Sequence, residues 1–287
     1  MRQPHRSAAV RSCSSGGADG RLPALVPLFH IRRVLYWPGH QCFLLGQRGV
    51  YVLNTGIEKQ PQRSAREAVD VTDIFCDFDG TITRVDATDA VLEAFALPAW
   101  QGWEQRWVNG EITSQECLAR QVELIQADRE TLAAFAANLP IDEGILDLDQ
   151  RCKERGVSLT IVSDGLDFIV EKILHRHGLL HLPVFSNHLW WDAQGRLALS
   201  FPFATQECRS GAGTCKCVMT RTTGPSSART VYIGDGQSDQ CVSGKMQTVF
   251  AKGTLRKWCE RTGIPCIPFE TLAEVVDRLF VKEARIA

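Results

Sequence analysis

The residues of this chain best suited to chemistry stand where apolar runs end. Asp77 and Asp79 follow Ile74-Phe75-Cys76 and lead into Gly80-Thr81-Ile82-Thr83. On a strand, residues i and i+2 project to the same side. A strand ending here therefore delivers both carboxylates to the crevice where open α/β sheets bind ligands. Such close charges repel unless a cation or a shared proton relieves them. Alone, the stretch also reads as a solvated turn, because Asp and Gly favour turns. A second run, 157–162, ends in Ser163-Asp164-Gly165. A hydroxyl followed by backbone N–H groups suits phosphate oxygens there. The same residues could cap the helix expected over 168–175, and the two uses are compatible, since helix N-termini attract anions.

A third run, Thr230-Val231-Tyr232-Ile233, ends in Gly234-Asp235-Gly236-Gln237-Ser238-Asp239. It adds two carboxylates beside glycines that let backbone approach a ligand. Lys216 lies within Gly213-Thr214-Cys215-Lys216-Cys217 and reads as a point charge on a loop, suited to neutralising a phosphoryl group. Cys208, Cys215 and Cys217 admit three readings: free thiols, a local disulfide or redox pair, or a zinc site lacking an obvious fourth ligand. His175, His177 and His181 read as solvated residues at a helix end, with no carboxylate or thiol at ligand spacing.

The elements that must position these groups can be placed by periodicity. Val91, Leu92, Phe95 and Ala96 mark a helix closed by Pro98. Trp100, Trp103 and Trp107 share one helix face; they read as core of a helical layer, with room for one ring to face a ligand. Asn109-Gly110 breaks the pattern, and Thr113 with Glu116 opens another helix as a capping box. Further helices are expected over 129–138, over 145–155 with Gly156 as its stop, and over 272–280. Asp192-Ala193-Gln194-Gly195 reads as the turn of a β-hairpin, and 248–251 and 265–268 as the last short strands. The helical stretch after the first acids has the length of a small cap inserted in a larger domain.

Composition excludes several classes. The 287 residues are 44% hydrophobic and 23% charged, ordinary for a soluble globular chain. A net charge of −1 points to neither nucleic acid nor an anionic membrane surface, and no stretch has the character of a transmembrane helix. Eleven cysteines, an odd number scattered among charged residues, suggest a reducing, cytosolic compartment rather than a disulfide framework. Residues 1–70 differ: Asp19 is the only acid before Gly56, against arginines at 2, 6, 11, 21, 32, 33 and 48. With no persistent period, this stretch is expected to be a poorly ordered, non-catalytic extension, a transit peptide or an over-extended start.

The ordered set DFDGT, SDG, a lone Lys and GDGxxD resembles the haloacid dehalogenase superfamily, in its phosphoserine phosphatase-like branch, over about residues 72–280. The CxxxxxxCKC stretch and the Trp-rich cap are most similar to the methionine-salvage phosphatases that act on 2-hydroxy-3-keto-5-methylthiopentenyl 1-phosphate. Setting the Lys between cysteines departs from the plainer phosphoserine phosphatase pattern. The resemblance implies an α/β fold: a Rossmann-like parallel sheet with helices on both faces, core at 71–87 and 141–287, and a helical cap at 88–140. It implies a phosphatase with Asp77 as nucleophile and Asp79 as proton carrier. Ser163, Asp164, Gly165 and Lys216 would bind phosphate. Mg²⁺ would be held by Asp77, the Asp79 carbonyl and Asp235, with Asp239 orienting Lys216. The expected partner is a small phosphate ester; the oligomeric state stays open, a homodimer being one option. Phosphoserine, whose carboxylate would need Arg84 or Arg106, and phosphocholine or phosphoethanolamine are the alternative substrates. A non-catalytic regulatory protein on the same scaffold is the rival from another class.

Overall fold

The computed structural model describes residues 31–36, 41–46, 49–54, 71–208, 210–222 and 229–280. The chain forms two units, residues 1–57 and 58–287. In the first, β1 (Ile31–Tyr36), β2 (Gln41–Gly46) and β3 (Gly49–Asn54) form an antiparallel sheet in that order. Val34 pairs with Leu44, and Phe43 with Val52. No strand was expected here from the sequence. The β-branched and aromatic content of these segments carried the signal, but paired arginines and intervening prolines break the alternation. The rest of the expected extension lies outside the described residues.

The second unit begins with β4 (Val71–Cys76), followed by the helices α1 (Ala87–Phe95), α2 (Trp100–Val108), α3 (Ser114–Val122), α4 (Arg129–Ala137) and α5 (Gly144–Arg155). Next come β5 (Ser158–Leu166), α6 (Asp167–Arg176), β6 (Val184–Trp191), β7 (Leu197–Ser200) and α7 (Lys216–Thr222). The chain continues through β8 (Arg229–Gly234), α8 (Gln240–Ser243), β9 (Thr248–Ala251), α9 (Gly253–Thr262), β10 (Ile267–Pro268) and α10 (Leu272–Phe280). The strands form one sheet in the order β10-β9-β8-β4-β5-β6-β7. All neighbours are parallel except the β6–β7 hairpin. Helices cover both faces, as the α/β expectation required. A central parallel strand covered on both faces must be apolar throughout, and Ile74, Phe75 and Cys76 are buried beside Ile161 and Ile233.

Register decides where the chemistry lands. Cys76 pairs with Ile161 on one side and Ile233 on the other. The residues that follow these three therefore emerge along one edge, and they include Asp77, Ser163 and Asp235. The chain leaves this edge at Thr83, which pairs with Ile141 in an isolated antiparallel bridge. Arg84 N–H donates to the Pro140 carbonyl and Asp142 N–H to that of Ile82, both within 3.0 Å. Helices α1–α4 thus occupy an excursion whose two ends are stitched together.

Three of these helices start as side-chain chemistry dictates. Asp86, Thr113 and Asp128 each accept from the amide three residues on. Gly156 closes α5 at φ +66°, a conformation that favours glycine. The expected cap on α6 is not formed by Ser163. Strand β5 continues to Leu166, and α6 starts without a side-chain cap. The histidine expectation also needs correcting for His181, whose Nε2 lies 2.9 Å from Asp149 Oδ1, a carboxylate too distant in sequence for local spacing to reveal. The described cysteines are all free thiols, Cys208, Cys215 and Cys217 included.

Helix α5 packs on α10, and their join is unusually close. A Cβ on Gly144 would lie 2.4 Å from Ala273 N and 2.8 Å from Leu272 C, both backbone atoms. Asp142 braces the same point, accepting from Gly144 N and Leu272 N. Gly144→Ala should therefore lower stability by about 1–3 kcal/mol. The same change at Gly102, a mid-helix position with nothing within 4 Å, should raise it by about 0.5–1 kcal/mol. Urea midpoints of the two variants check the opposite signs.

Candidate active site

Lys216 is the hub of the strand edge. It opens α7 rather than lying on a loop, and it is buried. Its ammonium has three donors, and all are used: Nζ lies 2.7 Å from Asp77 Oδ1, 2.6 Å from Asp239 Oδ1 and 2.9 Å from Ser238 Oγ. Burial disfavours its charge, but the charges of Asp239 and Asp77 outweigh this and raise its pKa above the usual lysine value.

Asp77 is also buried, and its Oδ1 accepts from Phe78 N at 2.8 Å as well as from Lys216. Both contacts fall on one oxygen, which leaves Oδ2 as the atom for chemistry. Burial raises its carboxyl pKa, and Asp239 raises it further, against the pull of Lys216. Asp239 has the opposite tendency. Burial alone would lift it, yet Lys216, Tyr232 and backbone amides hold it below the ordinary value. Its Oδ1 accepts from Lys216 and the Tyr232 hydroxyl; its Oδ2 accepts from Asp235 N at 3.0 Å and Gly236 N at 2.9 Å.

Asp79 is held by other elements. Its Oδ1 accepts from Ala87 N at 2.9 Å, at the N-terminus of α1, and its Oδ2 accepts from Ser163 Oγ at 3.0 Å. Burial raises its pKa, and these bonds only partly offset the rise. Asp235 Oδ1 accepts from Thr81 Oγ1 at 2.7 Å. Burial lifts it, the Thr81 bond opposes, and the nearby Asp239 charge helps carry it to about 6. Gly80, at φ +70°, leaves room for this residue, since a Cβ there would sit 2.5 Å from Asp235 Oδ2.

The edge therefore gathers Asp77, Asp79, Ser163, Lys216, Asp235 and Asp239. Two other expected phosphate contacts are engaged differently. The Asp164 carboxylate accepts from Ser114 Oγ at 2.6 Å, Thr214 N at 2.8 Å and Asn187 Nδ2 at 3.2 Å. A carboxylate so placed ties α3 to the sheet. Gly165 N–H is committed to Ser163 Oγ at 2.8 Å, and a Cβ at Gly165 would lie 2.4 Å from Asp79 Oδ2. Its value is the close approach it permits. Arg84 donates to the Ile141 carbonyl, and Arg106 pairs with Glu111 and lies over the Trp103 ring. Neither lines the cleft.

Above the acids, the cleft is walled by Asp89, Glu104, Trp107, Cys117, Leu118 and Gln121. Of the tryptophan stripe, Trp100 is buried as core and Trp107 faces the cleft. Tyr232 was missed by sequence reasoning. A phenol inside an otherwise aliphatic buried strand needs a polar partner, and that signal stood in Thr230-Val231-Tyr232-Ile233.

The donor set suits a divalent cation. Carboxylate oxygens of Asp77, Asp235 and Asp239 lie within 4.8 Å of one another. Because four hydrogen bonds already occupy Asp239, the available ligands are Asp77 and Asp235. Asp77, Asp79, Asp235 and Asp239, when ionised, outnumber the ammonium groups of Lys216 and the nearby Lys252 by two, an excess that such a cation relieves. All-oxygen ligation is what Mg²⁺ prefers.

A family described as putative phosphatase matches residues 73–252. The chain is 31% identical over 210 residues to a 2-hydroxy-3-keto-5-methylthiopentenyl-1-phosphate phosphatase of Geobacillus kaustophilus, spanning 72% of this chain and 94% of that protein. It is 30% identical over 206 residues to the phosphatase of the same name from Brevibacillus brevis, covering 71% and 92%. A phosphoserine phosphohydrolase-like protein from Francisella tularensis shares the fold, with a TM-score of 0.54 at 18% identity over 73% of this chain and all of that one. With the four motifs gathered at one strand edge and the match running through all of them, the chain belongs to the putative phosphatase family of the haloacid dehalogenase superfamily.

Proposed function

We propose that this protein is a Mg²⁺-dependent phosphomonoesterase that works through an aspartyl-phosphate on Asp77. The observation that carries the reading is the arrangement of Asp77, with Oδ1 pinned by Lys216 at 2.7 Å and Oδ2 left for attack. In this reading Oδ2 attacks phosphorus, and the bond from phosphorus to the ester oxygen breaks. Asp79, its carboxyl raised by burial, gives its proton to the leaving oxygen and then takes one from the water that cleaves the acyl phosphate. Ser163 and Lys216, each exchanging one of its present contacts for the substrate, steady phosphoryl oxygens as charge moves. Asp77 and Asp235, with the Asp79 carbonyl, would hold Mg²⁺, which supplies charge neutralisation for the approach of a phosphate dianion. Helices α1–α4 serve as the cap that excludes water and contacts the leaving group. A non-catalytic role loses support because every position the chemistry needs is filled.

For the substrate, the two named relatives favour the methionine-salvage keto phosphate. Trp107, Leu118 and Cys117 offer apolar surface suited to a thioether. No Lys or Arg stands among the described residues lining the cleft, which disfavours the carboxylate of phosphoserine. Asp89, lifted to about 6 by burial and the nearby charges of Glu104 and Asp79, makes the outer wall acidic. That favours an amine phosphate such as phosphocholine or phosphoethanolamine as the second reading.

Asp77→Asn should cut phosphate release by ~10³-fold or more with the fold intact by circular dichroism, and EDTA should abolish wild-type turnover until Mg²⁺ is restored. Normal turnover by Asp77→Asn in saturating Mg²⁺ would remove the nucleophile from the mechanism. A panel of phosphate esters read by released phosphate ranks the substrates: the keto phosphate is expected first and phosphoserine last.

Raised carboxyls also make a thermodynamic prediction. The Asp235 carboxyl sits near 6 in the folded protein, above its unfolded value, so the native state holds that proton more tightly. The penalty for ionising it is fully present above about pH 6 and fades as pH falls through that value. Metal-free Asp235→Asn should therefore melt higher than wild type at pH 7, and the gap should narrow toward pH 5. A lower melting temperature for the variant in EDTA at pH 7 contradicts this account.

A further inference from the structure

The loop that ends on Lys216 joins the cap to the catalytic edge. Its Gly211 carbonyl accepts from Gln115 N and its Ala212 carbonyl from Gln115 Nε2, both at 3.1 Å, at the start of α3. Gly211, at φ +59°, packs so tightly that a Cβ would lie 2.6 Å from Thr113 Cγ2. Three residues on, Thr214 N–H donates to Asp164, the carboxylate that also holds Ser114 of α3. Cys215 follows, its N–H bonded to the Phe203 carbonyl at 3.1 Å, and then Lys216. Residues 211–216 are thus bonded to α3 at one end and lead directly to the ammonium at the other.

Two thiols bracket the loop. Thr214 pairs with Phe203, Cys215 N–H donates to the Phe203 carbonyl and Cys208 N–H to the Thr205 carbonyl, so one turn holds both cysteines and their thiols interact across the loop. Cys208 is partly exposed and Cys215 buried, so a reagent from solvent meets Cys208 first, with a partner thiol behind it. We propose that Cys208 and Cys215 are a redox pair whose oxidation to a disulfide reversibly slows the enzyme by locking the loop between α3 and Lys216.

The chemistry balances with a peroxide as oxidant. The Cys208 thiolate attacks one peroxide oxygen and releases hydroxide, giving a sulfenic acid. The Cys215 sulfur attacks that sulfur, the S–S bond forms, and the sulfenic oxygen leaves as water. One peroxide is reduced and two thiols are oxidised; a dithiol reverses the step by exchange. The local environment sets the roles. Burial opposes ionisation of Cys208, but bonds from Ser210, the Ala212 amide and Cys215 hold its pKa below the ordinary value. Burial raises that of Cys215, and the adjacent Cys208 adds to the rise. A neighbouring pair, Cys217 and Cys241, provides a contrast, because burial and the bond to Cys241 push Cys217 up to about 11. Cys217 therefore lacks a favoured thiolate.

The test uses the full chain loaded with Mg²⁺ and treated with hydrogen peroxide, then alkylated and digested without reductant. Trypsin cuts after Arg209 and Lys216, so the disulfide joins peptides 197–209 and 210–216, detectable by mass. Turnover of an aryl phosphate is expected to fall at least about fivefold in step with the linked peptide and to return with dithiothreitol. Cys208→Ser should keep its activity and resist peroxide, whereas Cys241→Ser should respond as wild type does. Absence of the linked peptide overturns the pair. A linked peptide with unchanged turnover, or equal inactivation of Cys208→Ser, overturns the control it exerts. The peptide readout needs no phosphatase activity, so failure of the proposed reaction remains distinguishable.

Discussion

Everything at the strand edge depends on one ammonium shared between two buried carboxylates. Lys216 Nζ sits 2.7 Å from Asp77 and 2.6 Å from Asp239, with all three side chains almost entirely removed from solvent. A buried ion pair gains little net stability, because desolvation offsets attraction, but removing one partner strands a charge at a cost of about 3–5 kcal/mol. Such a cluster persists only if its remaining hydrogen bonds are met. Tyr232, Ser238 and the amides of Asp235 and Gly236 meet them. The asymmetry between the acids follows. Asp239 has every acceptor position occupied and is the fixed anchor, whereas Asp77 keeps one oxygen for chemistry.

That arrangement is affordable because the sheet register brings three strand ends to one line. Cys76, Ile161 and Ile233 pair across β8-β4-β5, and the residues beyond them must then converge. Close packing adds a second constraint. Gly80 and Gly165 each stand where a single methyl would collide with a carboxylate oxygen, of Asp235 and Asp79 respectively. These glycines are spacing elements for the acids, which is why Gly165 contributes through what it lacks.

Much of this was legible in the sequence, for identifiable reasons. The strands β4, β5 and β8 are apolar runs that stop at acids or hydroxyls, so the fold and the six residues that gather at the strand edge could be named from local pattern. Reading failed where partners are distant. Nothing near Asp164 in sequence announces Ser114, fifty residues earlier, or Thr214, fifty later, so the role of its carboxylate in tying α3 to the sheet was not legible. Lys216 looked like a loop residue because its helix is only seven residues long. The strands β1–β3 were overlooked because arginines and prolines masked their β-forming content. Tyr232 was legible in principle, since a lone phenol among aliphatic residues announces a buried partner.

The same distant contacts explain how the excursion of helices can be both movable in principle and coupled to the chemistry. At its stem, Thr83 pairs with Ile141, a backbone junction with no catalytic side chain. At its far end, α3 reaches the sheet through Ser114 and Gln115, which bind Asp164 and the loop before Lys216. Asp164 is the residue after Ser163, and Ser163 holds Asp79; the loop leads to Lys216, and Lys216 holds Asp77. One cap contact therefore bears on both acids through separate short paths. On the proposed reading, moving α3 away from the sheet would break hydrogen bonds that lie on the paths to both Asp79 and Asp77. If Asp77 and Asp79 act as proposed, these contacts would couple the placement of α3 to the placement of both acids.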